Sequence, residues 1–242
     1  MTTTSTNAYL ASVLGADATI RPLGRFNLAG PLGWFHQLRA DALERANALT
    51  VPTLRDEDWR FTDLSPLYRL AFRPSHASGS ISAAGLAPFM LPEATTRLVF
   101  VDGQFNAALS TPALTGDVIV APLASALSDY APVIRERLGH IAPIDRDAFR
   151  AINTTYLNDG AFIFARRNAS HPGPIHVLNI ATQAEAAIHN RMLVIAESGA
   201  DVTIIEDFVV IGDPVYCANA VTEVDVADRA KVRLIKLQRE GP

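Results

Sequence analysis

A weak internal repeat of about thirty residues in the second half of the chain constrains the fold more than any other feature. The segment LVIAESGADVTIIE, which begins at Leu193, aligns strand with strand and turn with turn on EVDVADRAKVRLIK, which begins at Glu223. The earlier segment FIFARRNA, which begins at Phe162, aligns with LVIAESGA, which begins one period later at Leu193. Strand, turn and strand at a nearly constant period are typical of a solenoid, because each coil covers only its neighbour's face. We therefore predict a parallel β-helix from Ala161 onward.

A β-sandwich of short strands is the competing interpretation, since it also has a strand every ten or so residues with turn residues between. The segments Val224–Val226 and Val232–Leu234 alternate apolar and polar residues, which suits one face turned inward and one outward. The fixed period favours the β-helix.

The first part of the chain has a helical pattern instead. From Pro31 to Leu49, apolar residues recur every three or four positions with charged residues between them, as in an amphipathic helix. The segment from Pro74 to Thr96 is rich in Ser, Ala, Gly and Pro and reads as a connection. We therefore expect two parts with a boundary near residue 92: a helical N-terminal region (1–92) and a β-rich core (93–242).

Within the core, RLVFVDGQF predicts a strand broken by the tight-turn pair Asp102-Gly103. Two helical patterns interrupt the strands. APLASALSDYAPVIRERLG predicts a helix that stops at Gly139, and IDRDAFRAINTTYLNDG predicts a second helix with Asp145 as its N-cap and Gly160 as its stop.

The tract VPTLRDEDWRFTDLSPL, from Val51, raises the question of a metal or acid/base cluster at Asp56–Asp58. Adjacent helical residues point about 100 degrees apart, so these three carboxylates do not converge. We expect a folded corner instead, in which Thr53 caps a short helix and Trp59 and Phe61 are buried as anchors.

Charge and cysteine content limit the possible partners and compartments. A net charge of -4 without clustered Lys and Arg argues against nucleic acid and anionic membranes, so we expect a protein or small-molecule partner. A single cysteine excludes an internal disulfide, and the sequence has neither a signal-peptide pattern nor an apolar run long enough to span a bilayer. We therefore expect a cytoplasmic protein.

No residue pattern predicts a catalytic or metal site. Cys217 reads as a small buried hydrophobe. Neither HExxH nor a phosphate-binding glycine motif nor GxSxG occurs, so we expect no enzyme activity and no ATP binding by this chain. Six histidines are interpreted as surface or turn residues, with at most a weak pair at positions 171 and 176: His36, His76, His140, His171, His176 and His189.

Five segments, in order, resemble the signature segments of the SufD family of iron-sulfur cluster assembly proteins: PTLRDEDWRFTDLSPL, RLVFVDGQF, DAFRAINTTYLNDGAFIF, GADVTIIEDF and ANAVTEVDVADRAKVRLIKLQRE. The resemblance runs from Pro52 to the end of the chain. It implies a helical N-terminal region, a right-handed parallel β-helix, and C-terminal helices that dock on the ATPase SufC. It also implies a non-enzymatic scaffold subunit that supports cluster assembly and iron acquisition with SufB and SufC.

We expect the resemblance to be incomplete at the C-terminal side, because the sequence reaches Pro242 within the β-helix. The SufC-docking helices, the later coils and the family's cluster-related Cys and His residues have no counterpart here, so no ligand can be carried over and no cluster is expected in this chain alone. The last coil, with Val232, Leu234 and Leu237, would be left uncovered and could self-associate.

Two other functions compete with the scaffold. A polysaccharide-active β-helix enzyme would need acidic residues converging on one exposed strand face. The strands offer only scattered candidates, Glu206, Asp207, Glu223 and Asp225. A structural solenoid that displays a binding surface differs from the scaffold only in its partner.

Overall fold

The structure is a computed structural model that describes residues 32–65, 67, 70, 72–75 and 79–240. It has a mixed α/β architecture. Five α-helices lie within the described residues: α1 (Gly33–Ala48), α2 (Ala83–Leu86), α3 (Leu123–Asp129), α4 (Ala131–Arg135) and α5 (Ala148–Thr155). None of them is both long and apolar enough to cross a membrane.

Twelve strands within the described residues form three sheets. Their bounds are β1 (Arg73–Pro74), β2 (Thr96–Val101), β3 (Gln104–Phe105), β4 (Val118–Pro122), β5 (Ala161–Ala165), β6 (Ile175–Ala181), β7 (Ala186–Ile188), β8 (Arg191–Ala196), β9 (Asp201–Val210), β10 (Cys217–Ala218), β11 (Val221–Val226) and β12 (Lys231–Arg239).

Strand order shows three stacked layers of chain. The sheets have the orders β4-β5-β8-β11, β3-β2-β6-β9-β12 and β1-β7-β10. Layer 1 (161–190) and layer 2 (191–220) each give one strand to every sheet, and layer 3 (221–240) gives β11 and β12. All pairings between layers are parallel; only β2 with β3 and β4 with β5 are antiparallel. Parallel pairing distinguishes this architecture from an antiparallel sandwich.

The register of the sheets confirms the alignment of the repeat. Phe162 pairs with Leu193, and Leu193 pairs with Glu223. The core between the sheets consists of the inward side chains of successive strands, including Ile163, Val194 and Ile204. On the inward face, each layer therefore stacks apolar side chains on those of its neighbour.

Helices cover the outer face of the β5-β8 sheet and one corner of the stack. Helices α3 and α4 pack on the outward side chains Phe162, Phe164 and Leu193. Helix α1 confirms the predicted amphipathic helix, although Pro31 lies outside the described residues, and it packs on α5. The buried Arg39 of α1 donates from Nε to the carbonyl of Thr155 at 3.1 Å. Thr155 is the last residue of α5, and a cationic side chain is favourable at a helix C-terminus. Burial lowers the pKa of Arg39 to about 10.

The fold-class prediction placed an α-helical region before the β-structure, but helices also lie within the β-structure: α3, α4 and α5 all follow β2, where the two helical patterns of the core predicted them. The segment from Pro74 to Thr96 is also more ordered than a plain connection, since Pro74 ends β1 and residues 83–86 form α2. The predicted tight turn is confirmed: Asp102 and Gly103 lie in the left-handed region at φ 50° and 79°, between the antiparallel strands β2 and β3.

Two boundary predictions for α5 were wrong. Its N-cap is Asp147, whose carboxylate accepts from the backbone N–H of Arg150 at 2.8 Å, and not Asp145. The helix ends at Thr155, five residues before Gly160. Gly160 has a different role, because a Cβ there would lie 2.2 Å from the carbonyl oxygen of Arg191 in the adjoining strand.

The acidic tract forms a folded corner, but not the predicted one. Its short helix is a 3₁₀ turn, Glu57–Trp59, and the capping runs the other way: the Asp56 carboxylate accepts from the N–H and Oγ1 of Thr53 at 2.7 and 3.1 Å. These bonds lower the pKa of Asp56. Trp59 is half-buried and stacks on Phe149 with ring centroids 5.4 Å apart. Phe61 is 87% exposed, so its predicted burial was wrong.

Substitution of two phenylalanines, Phe162 and Phe61, tests which residues belong to the hydrophobic core. Phe162→Ala should lower the free energy of unfolding by about 3–5 kcal/mol, because the ring is fully buried beneath α3 and α4. Phe61→Ala should change it by less than about 0.5 kcal/mol, because the ring is in solvent. Urea denaturation followed by far-UV circular dichroism measures both, and equal losses would contradict this assignment of the core.

Candidate functional site

The most elaborate polar site lies where the helices meet the layers. It centres on the carboxylate of Glu223 in β11, which is fully buried. Arg191 donates to Glu223 Oε2 from Nε at 3.0 Å and from Nη2 at 2.6 Å. The backbone N–H groups of Gly139 and Ala142 each donate to Glu223 Oε1 at 2.9 Å. Four donors on two sides therefore satisfy a charge that burial alone would make very costly.

Arg191 extends this network into helix α5. Its Nη1 donates to Asn153 Oδ1 at 3.0 Å and to Thr154 Oγ1 at 3.3 Å. Burial lowers the pKa of Arg191, and the charge of Glu223 opposes that shift. The guanidinium therefore bridges a strand of layer 3 and a helix of the outer covering.

Asn153 fastens the same helix to two corners of the stack. Its amide Nδ2 donates to the carbonyls of Asn190 and Asn219 at 2.8 and 2.7 Å. These two carbonyls occupy corresponding corners, just before β8 and β11. The side-chain Nδ2 of Asn219 in turn donates to the carbonyl of Phe149 in α5 at 2.8 Å. We name the set Asn153, Arg191 and Glu223 the corner network; its geometry fixes the helix against layers 1 to 3 and leaves no group exposed for chemistry.

A second polar cluster lies on the outer face of the β6-β9-β12 sheet. His176 Nε2 lies 3.2 Å from Asp207 Oδ2, and Arg239 donates to the same carboxylate. Burial alone would raise the pKa of Asp207, but the hydrogen bonds from His176 and Arg239 outweigh it and lower that pKa. Both His176 and Asp207 are fully buried, so this pair also lacks access to a substrate.

The interpretation of all histidines as surface or turn residues was wrong for His176 and His189. His176 is buried beside Asp207, and His189 is buried with its ring stacked on Tyr156 at 4.9 Å. Burial lowers the pKa of His189 to about 3. His171 bonds to Thr96 and Gly173, so it does not pair with His176, and His76 lies outside the described residues. Among the described residues, no three His, Cys, Asp or Glu side chains converge where they could hold a metal ion.

Cys217 lies in β10 and is half-buried. It packs against the cluster formed by α1, α5 and Phe72. Beside it a groove of about 440 Å³ runs between Trp59, Phe149 and Val221. The sequence predicts a small buried hydrophobe at Cys217; its packed neighbours are apolar, but the side chain is only half-buried.

The scattered acidic candidates do not meet. Glu206 pairs with Thr222 and Lys236, and burial raises its pKa while both partners oppose the shift. Asp225 lies in β11, on a different sheet from Glu206, and its Oδ2 is 2.5 Å from Nε of Arg137. Asp207 and Glu223 belong to the two separate clusters described above.

Layer 3, the last layer within the described residues, has several exposed apolar side chains. Val226, Leu234 and Ile235 are 48%, 40% and 46% exposed, whereas Val232 and Leu237 are half-buried. A cavity of about 450 Å³ opens beside Phe208.

Comparison with known proteins decides the family. The chain matches the sequence model of the SufBD protein N-terminal region over residues 31–177, and that of the SufBD core domain of the SUF iron-sulfur cluster system over residues 179–242. The chain belongs to the SufBD family. Both models match in tandem, so the SufBD likeness extends through the helices as well as the layers.

Curated SufBD relatives agree. A SufBD family protein of Synechocystis, described as an iron-sulfur cluster assembly protein, is 32% identical over 219 residues, which cover 84% of this chain and 47% of the relative. The iron-sulfur cluster assembly protein SufD of Escherichia coli is 26% identical over 225 residues, covering 86% of this chain and 50% of SufD. SufD of Bacillus subtilis is 22% identical over 206 residues, covering 82% and 47%. The chain spans about half the length of these relatives.

Removing the charge of Glu223 tests the corner network. Glu223→Gln should cost about 3–5 kcal/mol of unfolding free energy, because it leaves the buried guanidinium of Arg191 without a counterion. Asp201→Asn, which breaks the exposed pair with Arg233, is the matched control and should cost less than about 1 kcal/mol. Paired urea denaturation curves measure the two values. A loss of under 1 kcal/mol for Glu223→Gln would contradict the role given to the network.

The burial of His189 predicts an acid-dependent loss of stability. Its folded pKa of about 3 lies below its unfolded value, so the unfolded state binds the proton first and stability falls as pH drops from about 6.5 toward 3. Between pH 7.5 and 5 this group should account for about 2 kcal/mol of lost unfolding free energy.

The variant His189→Phe, which keeps a ring against Tyr156, isolates that contribution. It should lose about 2 kcal/mol less than the wild-type chain over the same pH interval in urea titrations. Identical pH dependence in the two proteins would show that His189 is exposed or already paired.

Proposed function

We propose that this protein is a non-enzymatic scaffold subunit in iron-sulfur cluster assembly, as the SufD relatives are named for that process. The observation that carries the proposal is the tandem match to both SufBD regions over residues 31–242. In this role the protein supports cluster assembly and iron acquisition together with SufB-type and SufC-type subunits in the cytoplasm, and the cluster is cargo.

We further propose that the stacked layers are coils of a right-handed parallel β-helix. The support is the strand order, in which successive layers add one strand to each sheet at a step near thirty residues. We place the boundary between the N-terminal region (1–92) and the β-helix core (93–242) just before β2, the first strand of the five-stranded sheet.

A scaffold without bound cluster also suits the chemistry of the side chains. A four-ligand thiolate site needs several cysteines, and this chain has only Cys217. We propose that Cys217 has a packing role, since its neighbours are the apolar residues of the cluster beneath α5.

The carboxylates give little support to a polysaccharide-active enzyme. Glycoside hydrolysis requires two carboxyl groups that flank one bond. Here Asp207 and Glu223 are fully buried in ion pairs. Glu206 and Asp225 lie on different sheets, and each has a cationic partner of its own, Lys236 and Arg137. The scaffold therefore remains the better proposal.

Copurification tests the proposed role. A tagged chimera in which residues 31–242 replace the matching half of a SufD relative, coexpressed with SufB and SufC of that relative's SUF system, should retain both proteins on affinity resin. Cys217→Ser should retain them equally, because the sulfur has no proposed ligand role. Retention of neither partner by a chain with native circular dichroism would contradict the proposal, and release of reducing sugar from polysaccharides by the purified chain would favour the enzyme.

A further inference from the structure

The acidic tract that follows α1 exposes two large apolar side chains. Phe61 is 87% exposed, more than any other large apolar side chain among the described residues, and Leu54 is 53% exposed. Leu54 also lines an open groove of about 440 Å³ together with Leu64. The guanidinium of Arg60 lies 4.6 Å from the centroid of the Phe61 ring, a cation–π contact at the surface. We name residues 52–65 the tract surface; its apolar groups are available to cover with another segment.

The tract surface is acidic as well as apolar. Its exposed charged side chains are four acids and two bases: Asp56, Glu57, Asp58, Asp63, Arg55 and Arg60. Glu57 pairs with Arg60 at 2.9 Å, but both side chains are in solvent, where such a pair contributes little and can exchange partners. A polypeptide segment with apolar anchors and an excess of cations would therefore complement this surface.

A segment of that character precedes α1 in the same chain. Residues 18–30, with the sequence ATIRPLGRFNLAG, lie outside the described residues and contain Arg21, Arg25 and no acid. Their large apolar residues are Ile20, Leu23, Phe26 and Leu28. Both the charge and the apolar content therefore match the tract surface.

The segment is also long enough to reach the tract surface. Helix α1 has 16 residues, so at about 1.5 Å per residue it is about 24 Å long, and the tract begins just beyond its C-terminal end. An extended chain advances about 3.3 Å per residue, so from Leu32 it reaches about 23 Å at Arg25 and about 36 Å at Arg21. Residues 21–26 can therefore lie at the far end of α1 without strain.

We propose that residues 18–30 bind back along α1 onto the tract surface of the same chain. In this arrangement Phe26 packs against Phe61 and Leu54, and the two arginines of the segment lie among the acids of the tract. The inference does not rest on the proposed role in cluster assembly, because it concerns two segments of one polypeptide. A partner that binds the tract surface would first have to displace the segment.

The tether favours the segment of the same chain over other occupants. A flexible connection of about ten residues gives an effective concentration in the millimolar range, which a second copy or a separate peptide does not reach at micromolar concentrations. Weak apolar and ionic contacts are then sufficient for binding within one chain.

Chymotrypsin cleavage after Phe26 measures whether the segment is bound, because the protease cuts the released form. In the 242-residue chain, Phe61→Ser with Leu54→Ser should raise the initial cleavage rate about tenfold. Leu114→Ser removes a side chain that is 57% exposed elsewhere, and it should leave the rate unchanged. All three side chains are in solvent, so native far-UV circular dichroism should be kept in both proteins.

A charge exchange tests the ionic part of the contact. Arg21→Glu with Arg25→Glu should raise the rate about fivefold at low salt and less at high salt. Glu57→Lys with Asp58→Lys should do the same, and all four changes together should restore slow cleavage, because opposite charges then face each other again. Each rate is divided by that of a free 18–30 peptide with the same residues, so that the sequence preference of the protease cancels.

Three outcomes would overturn the proposal. Equal normalised rates in the wild-type chain and in the double serine variant would show that the segment does not cover the tract surface. Failure of the four changes to restore slow cleavage would show that the two sets of charges do not meet. Protection that increases with the concentration of the chain would make the segment of a second copy the occupant.

Discussion

The buried ion pair between Arg191 and Glu223 is the interaction on which the arrangement of helices and layers depends. Neither charge is exposed, so each is tolerable only with the other in place. The remaining lone pairs and donors are used up by the loop at Gly139 and by helix α5 through Asn153. Because one cluster of side chains satisfies groups from a loop, a helix and two strands, displacement of any of these elements would leave a buried polar group unpaired.

The layers themselves depend on parallel register and on charge. Inward side chains stack apolar on apolar between the sheets, while β9 and β12 add cross-strand ion pairs that fix one register over its neighbours. The carboxylates of Asp201 and Glu206 on β9 are occupied by these ion pairs.

The repeating part of the fold could be predicted from the sequence, because a period near thirty residues fixes which strands are neighbours, and Phe162, Leu193 and Glu223 do share one column of a sheet. The buried polar residues could not. From the apolar pattern alone, Arg191 and His189 are expected at the surface, because both are polar. Nothing in the neighbouring sequence indicates that Arg191 pairs with Glu223 or that His189 stacks on Tyr156. Asn190 and Asn219, which are 29 residues apart at the same corner of successive layers, were the available signal for the corner network.

Native-state hydrogen exchange tests the central claim most directly, because it measures separately the opening free energies of the helix and of the layers that the corner network joins. If the network couples them, amides of α5 and of β8 and β11 open together, with free energies that agree within about 1 kcal/mol. Amides of α5 that exchange at several kcal/mol below those of β8 and β11 would contradict the account, since the helix would then leave the stack while Arg191 and Glu223 stayed buried without it.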